Sequence, residues 1–197
     1  MDMMSAQFVA SLIALEKRDA DIAFVQNSLV YDARNDLAAK AIDGGFDRVL
    51  WLDSDMKFLP DTLERLHADM DDGLEFVCGL YFKRKQPITP CIYKALYATK
   101  EDNMITPHAD IYDDYPRDSL FRISACGFGM VLTSVDLLKR VKEKFGLPFS
   151  PTIGFGEDLS FCMRASALEV PLYCDGRIKV GHIGFTEFTE ETYKGLS

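Results

Sequence analysis

The sequence predicts an α/β fold: a mostly parallel, doubly wound sheet flanked by helices in a single domain. Two observations carry this. Apolar strand-like runs alternate with helical stripes through residues 1–80 in the order α-β-α-β-α-β, the rhythm of parallel strands joined by helical crossovers. One of those runs, Val49-Leu50-Trp51-Leu52, leads straight into Asp53-Ser54-Asp55. That places acidic chemistry at the carboxyl end of a buried strand, where open α/β sheets bind ligands.

The first element is an amphipathic helix. Phe8, Val9, Leu12, Ile13 and Leu15 follow a helical stripe, and no basic stretch precedes them as in a signal peptide. Residues 21–25 (DIAFV) read as a strand. Residues 32–42 carry Leu37, Ala38, Ala41 and Ile42 on one face and stop at Gly44-Gly45. Residues 48–52 read as a buried strand, Pro60 opens a helix with Leu63, Leu66 and Met70 inward, and residues 74–80 form another strand. Residues 90–97 and 120–125 read as strands around a polar span. That span, residues 99–119, predicts an excursive loop by its length and its Asp, Pro and Tyr content. Two helices follow, SVDLLKRVKEKF (134–145) capped by Ser134 and GEDLSFCMRASALE (156–169) led in by Gly154 and Gly156. Strands at 170–174 and 178–182 precede a polar tail, and no repeat, low-complexity tract or linker divides the chain.

Composition narrows the function. With 48% apolar and 12% aromatic residues, a large core is expected. A net charge of −9 argues against nucleic acid or an anionic membrane as the main partner. No apolar run approaches the roughly 18–20 residues of a membrane-spanning helix. Cys78, Cys91, Cys126, Cys162 and Cys174 lie largely in apolar segments without a CxxC pair, which predicts reduced packing thiols and a cytoplasmic protein.

Side chains at i and i+2 of a strand share a face, so extended geometry through Asp55 points Asp53 and Asp55 into one cleft. Two carboxylates side by side repel unless a cation lies near them, and hard oxygen ligands select Mg²⁺ or Mn²⁺. The competing reading, that one Asp caps the following turn, explains one carboxylate and not both.

Three further segments follow in order: ARND (33–36), GFGEDLSFCMRA (154–165) and VGHIG (180–184). With the Asp53-Ser54-Asp55 stretch, they resemble the Arg-Asn, DxD, ED and late-histidine motifs of GT-A glycosyltransferases, especially family 2-like enzymes. The resemblance spans about residues 5–185. It implies a nucleotide-sugar donor, such as a UDP-sugar, a glycan or other hydroxyl acceptor, and Mn²⁺ or Mg²⁺ held by Asp53, Asp55 and His182. Asp55 would ligate directly, while Asp53 would contact the ribose or a metal-bound water. Asp158 would take the acceptor proton with Glu157 positioning the acceptor, and a base opposite the leaving group implies inversion. Arg34 would lie near the sugar nucleotide. ACGFGMVL (125–132) resembles the segment on the acceptor side, which assigns Gly127, Phe128 and Gly129 there. GT-A domains begin with a strand, and this chain opens on what reads as the helix after it, so the resemblance implies an N-terminally truncated domain.

Each segment also has a plainer reading. Glu157 and Asp158 suit the first turn of any helix through its dipole. A lone His182 is more often structural, and His67 and His108 have no companion that suggests chemistry. Arg34 also suits a salt bridge with Asp32 or Asp36. YFKRKQP (81–87) offers Lys83 and Arg84 to a diphosphate or anionic acceptor, or is a solvated basic turn. Two other function classes compete. One is a non-catalytic nucleotide- or glycan-binding remnant of this fold. The other is a metal-dependent phosphohydrolase or nucleotidyltransferase, which pairs aspartates at a strand end but predicts neither the ED helix nor the late histidine.

Overall fold

The computed structural model describes residues 4–26, 28–102, 104–152, 154–184 and 189–194. Helix α1 (Ala6–Ala14) starts at Ser5, whose hydroxyl accepts the Phe8 N–H at 3.0 Å. Helix α2 (Val30–Asp43) stops at the glycine pair, where Gly45 takes φ +70°. Strand β1 (Arg48–Leu52), the short β2 (Met56–Lys57), helix α3 (Thr62–Asp71) and the fully buried β3 (Phe76–Leu80) complete the first half. The second half holds β4 (Ile92–Glu101), β5 (Met104–Ile111), β6 (Leu120–Ile123), β7 (Ala125–Cys126) and β8 (Met130–Ser134). Helices α4 (Val135–Phe145) and α5 (Glu157–Ser166), strands β9 (Leu172–Lys179) and β10 (Gly181–His182), and helix α6 (Glu190–Lys194) follow. Ser134 caps α4 as expected, accepting the Leu137 N–H at 3.0 Å.

The fold is α/β, with sheets that are mixed rather than mostly parallel. The five-stranded sheet has the order β1-β8-β3-β9-β6, and β3–β9 is its parallel pairing. β8 pairs antiparallel with both β1 and β3, and β6 pairs antiparallel with β9. The reason is topological. β8 departs from the end of the sheet where β1 and β3 finish, directly after Gly127–Gly129 and without a crossover, so it runs back between two strands that point the other way. The run MVLTS was legible as apolar, but its direction was not.

Alternation along the strands splits the core into two layers. Trp51, Phe76, Cys78 and Val131 face one side, with Ala38 and Ala41 of α2, Leu137, Leu138 and Val141 of α4, and Phe161 of α5. Leu50, Val77, Met130 and Leu132 face the other, with Phe8 of α1 and Leu63, Leu66 and Met70 of α3. Helices α1 and α2 therefore pack on opposite faces of the sheet. Residues 21–26, between these helices, carry no regular secondary structure and are mostly exposed, not the expected strand, with Phe24 53% exposed. β-propensity gives a strand only where a ladder partner is within reach, and among the described residues none pairs with this run.

The polar span expected as a loop is largely a hairpin. β4 and β5 pair antiparallel from Tyr93↔Ile111 to Glu101↔Met104. Its outer half is exposed on both faces, so no apolar alternation marked it. Cross-strand contacts hold it instead: Tyr97 stacks on His108 with centroids 4.9 Å apart, and Thr99 Oγ1 lies 2.9 Å from His108 Nε2. The two late strands merge into β9, which carries a bulge opposite Gly79/Leu80, followed by β10. All five cysteines are free and buried, as their sequence setting predicted. Among the described residues no helix is long and apolar enough to cross a membrane.

Candidate functional site

β1 ends at Leu52, and the chain turns at once: the Met56 N–H bonds Asp53 O at 3.2 Å. Extended geometry does not persist through Asp55, and the two carboxylates take different partners. Asp53 turns to Arg34, which donates from Nη2 to Asp53 Oδ1 at 2.8 Å. Asp55 directly precedes β2, which pairs antiparallel with β10 in the register His182↔Met56. The Ile183 N–H donates to Asp55 O at 2.7 Å and locks that junction. The structure thus pairs Asp55 with His182 and Asp53 with Arg34. Among the described residues no three His, Cys, Asp or Glu side chains converge on one point.

The Asp55–His182 pair has a defined polarity. His182 is mostly buried, and its Nδ1 lies 2.7 Å from Phe82 O. A carbonyl only accepts, so Nδ1 carries the hydrogen and Nε2 is turned to Asp55 Oδ2 at 3.4 Å. With a proton on Nε2 as well, the imidazolium donates to Asp55; without one, the lone pair facing the carboxylate calls for a cation between them. Arg84 reaches the same oxygen, Nη1 to Oδ2 at 2.9 Å, while donating to Ile183 O at 3.0 Å. The other oxygen, Asp55 Oδ1, is buried with no hydrogen-bond partner among the described residues. Burial raises the Asp55 carboxyl, but the His182 hydrogen bond and charge, with Arg84, outweigh it and hold it below the usual range.

Arg34 is not paired with Asp32 or Asp36. Its side chain is 8% exposed, and its second fork arm lies 3.1 Å from Glu157 Oε1 at the start of α5. It also lies over the Phe128 ring at 5.1 Å. One guanidinium therefore ties the DxD-like turn to the ED-like helix. Burial raises Asp53 above the usual carboxylate range against the pull of Arg34, and the Asp55 charge adds to this. Burial raises Glu157 in the same way, again opposed by Arg34 and reinforced by Asp158 and Asp53. Asp53, Asp55, Glu157 and Asp158 thus share one end of the sheet with two guanidiniums, Arg34 and Arg84, an arrangement short of positive charge.

The structure as a whole is similar to a solved protein.

No family description matches the chain, and no curated protein does. Among solved structures, the crystal structure of A197 from STIV superposes with a TM-score of 0.63, at 18% identity, covering 92% of this chain and 82% of that one. At that identity the likeness is one of fold.

The remaining expected residues fall as follows. Asp158 Oδ1 accepts its neighbour's N–H, from Leu159, at 2.7 Å. A Cβ added to Gly127 would lie 3.6 Å from Asp158 Oδ2 and 2.2 Å from Tyr81 Oη, so the bare backbone lets both groups approach. Gly129 donates its N–H to Tyr81 Oη at 3.2 Å, and its carbonyl accepts from Asp53 N at 3.1 Å. Phe128, expected on the acceptor side, is 1% exposed and turns into the core. It packs against Trp51, Phe76, Phe149 and Phe161, contacts worth about 1 kcal/mol each beyond burial. Lys83 does not join Arg84 at Asp55; its Nζ lies over the Tyr93 ring at 5.3 Å.

Two site residues were missed. Tyr81, buried at the end of β3, touches Gly127 and Gly129 and meets His182 edge-on at 5.4 Å. A phenol directly after the apolar run of β3 was the available signal. Phe82 contributes through its carbonyl, which no side-chain pattern announces.

Proposed function

We propose that this chain is a metal-dependent glycosyltransferase of GT-A arrangement, moving a sugar with inversion from a nucleotide-sugar donor, such as a UDP-sugar, to a hydroxyl acceptor. One observation carries the reading: His182 Nε2 and Asp55 Oδ2 face each other at 3.4 Å with the imidazole fixed by Phe82 O, beside a buried and unpartnered Asp55 Oδ1. That donor set, one carboxylate and one imidazole at a site short of positive charge, fits Mn²⁺ better than Mg²⁺, which takes oxygen ligands. When bound, the cation supplies Lewis-acid neutralisation of a diphosphate leaving group.

The chain's own residues supply the rest. Asp158 accepts the acceptor's hydroxyl proton; its backbone-anchored Oδ1 holds the carboxylate in one orientation. The acceptor oxygen then bonds the anomeric carbon as the bond to the diphosphate breaks. Glu157 positions the acceptor side, and Arg34 keeps Glu157 in register with Asp53. Asp53, partly exposed, is the group available to the donor ribose.

The test is a panel of nucleotide sugars with Mn²⁺, following nucleoside diphosphate release. Turnover with one donor that is lost in Asp158→Asn supports the reading. No donor bound, no turnover and no effect of Asp158→Asn overturns it, as does release of nucleoside monophosphate or pyrophosphate.

A further inference from the structure

The two arginines at this site are held in opposite ways. Arg34 is buried, gripped by two carboxylates and stacked on a ring. Arg84 is 45% exposed and stands on a turn, residues 84–87, whose residues are all exposed. That turn hangs between fixed ends: Lys83 N–H donates to Thr89 O at 2.9 Å, and Cys91 N–H to Tyr81 O at 2.9 Å. The Arg84 side chain can therefore leave Asp55 for water without breaking a ladder, at the cost of one ion pair and its bond to Ile183 O.

Its place is also the place where a cation would act. Arg84 Nη1 and His182 Nε2 address the same oxygen, Asp55 Oδ2. A divalent ion held by Asp55 and His182 would meet a guanidinium on a shared carboxylate, and like charges at such separations repel strongly where solvent is partly excluded. We propose that Arg84 is a releasable counterion: it neutralises Asp55 in the metal-free protein and is expelled when a divalent cation is taken up. The inference rests on the Asp55–His182 metal reading above. By linkage the effect is reciprocal, so whatever factor Arg84 subtracts from metal affinity, the metal subtracts from the Arg84–Asp55 contact. Release frees a basic, exposed turn beside the site at the moment the cation arrives.

The experiment is Mn²⁺ titration of the whole chain, reading free Mn²⁺ by its EPR signal, for wild type, Arg84→Gln, Arg84→Lys and Asp55→Asn. Arg84→Gln is expected to bind about tenfold tighter than wild type, within the usual range of coupling between sites. Arg84→Lys should fall between them, and added salt should narrow the gap. In parallel, trypsin should cut the wild-type turn at residues 83–85 faster once Mn²⁺ is added, and cut Arg84→Gln there at a rate that Mn²⁺ does not change. If wild type binds Mn²⁺, Asp55→Asn loses it, and Arg84→Gln binds equally or more weakly, the counterion role is overturned while the metal site stands. If no variant binds Mn²⁺, or Asp55→Asn binds as wild type does, the metal reading falls and takes this inference with it.

Discussion

Arg34 Nη2 lies 2.8 Å from Asp53 Oδ1, a contact that joins helix α2 to the turn after β1 across 19 residues of sequence. The same guanidinium reaches Glu157, so it compensates two carboxylates that burial pushes toward protonation. Arg34→Ala leaves both without a partner. Breaking a buried pair from one side costs about 3–5 kcal/mol, and the lower end applies because Asp53 is partly exposed. Urea unfolding at neutral pH should show a loss of about 3 kcal/mol. Arg34→Lys should recover only part of it, since one ammonium lacks the fork that spans both acids. Full stability in Arg34→Ala would refute this account.

A second acidic cluster makes the fold itself sensitive to pH. Asp69 on α3 accepts from Arg177 at 2.9 Å, and Arg177 also bonds Asp175 at 2.7 Å. Burial foremost, then the Asp175 charge and hydrogen bond, push the Asp69 carboxyl from 3.8 up to about 6. A raised carboxyl keeps its proton in the folded chain where the unfolded chain has lost it. Its stabilisation is therefore full below about 3.8 and lost as pH rises through about 6. Asp69→Asn should remove that loss. Between pH 4.5 and 7, wild-type stability should fall relative to the variant by about 1 kcal/mol, allowing for solvent screening. Parallel profiles in urea midpoints would show that Asp69 does not titrate as described.

Gly127 is a place where backbone and ring compete for the same space. A methyl group there would lie 2.2 Å from Tyr81 Oη, on a buried ring that also receives the Gly129 N–H. Gly127→Ala should cost about 1–3 kcal/mol by overpacking. It should also turn Tyr81 away from His182, changing the near-UV circular dichroism of the folded protein. An unchanged spectrum at wild-type stability would mean the glycine serves some other purpose.

Local signals were read well where a residue type has one physical reason to be where it is. Ser134 caps α4 because its hydroxyl satisfies a helix-end N–H, and Gly45 ends α2 because a positive φ is cheap without a Cβ. Buried cysteines announced themselves by apolar neighbours. Long-range choices were less visible. The hairpin of β4 and β5 has polar residues on both faces, so its pairing left no periodic trace. Arg34 carried equal local reasons to bond Asp32, Asp36 or a ligand, and only the approach of α5 to the β1 turn selected Asp53 and Glu157.

The sequence by itself determined the α/β class and the five longer helices, while the short α6 fell in what read as a polar tail. Helix periodicity, capping and apolar runs are local, and they survive any arrangement of the elements. Tertiary structure decided how the site residues divide. The turn at Asp53 gives the two aspartates different partners, the β2–β10 pairing delivers His182 to Asp55, and the Phe82 carbonyl fixes which imidazole nitrogen faces it. Each of these is a hydrogen bond between segments far apart in the chain. Spacing within one segment carries no information about it.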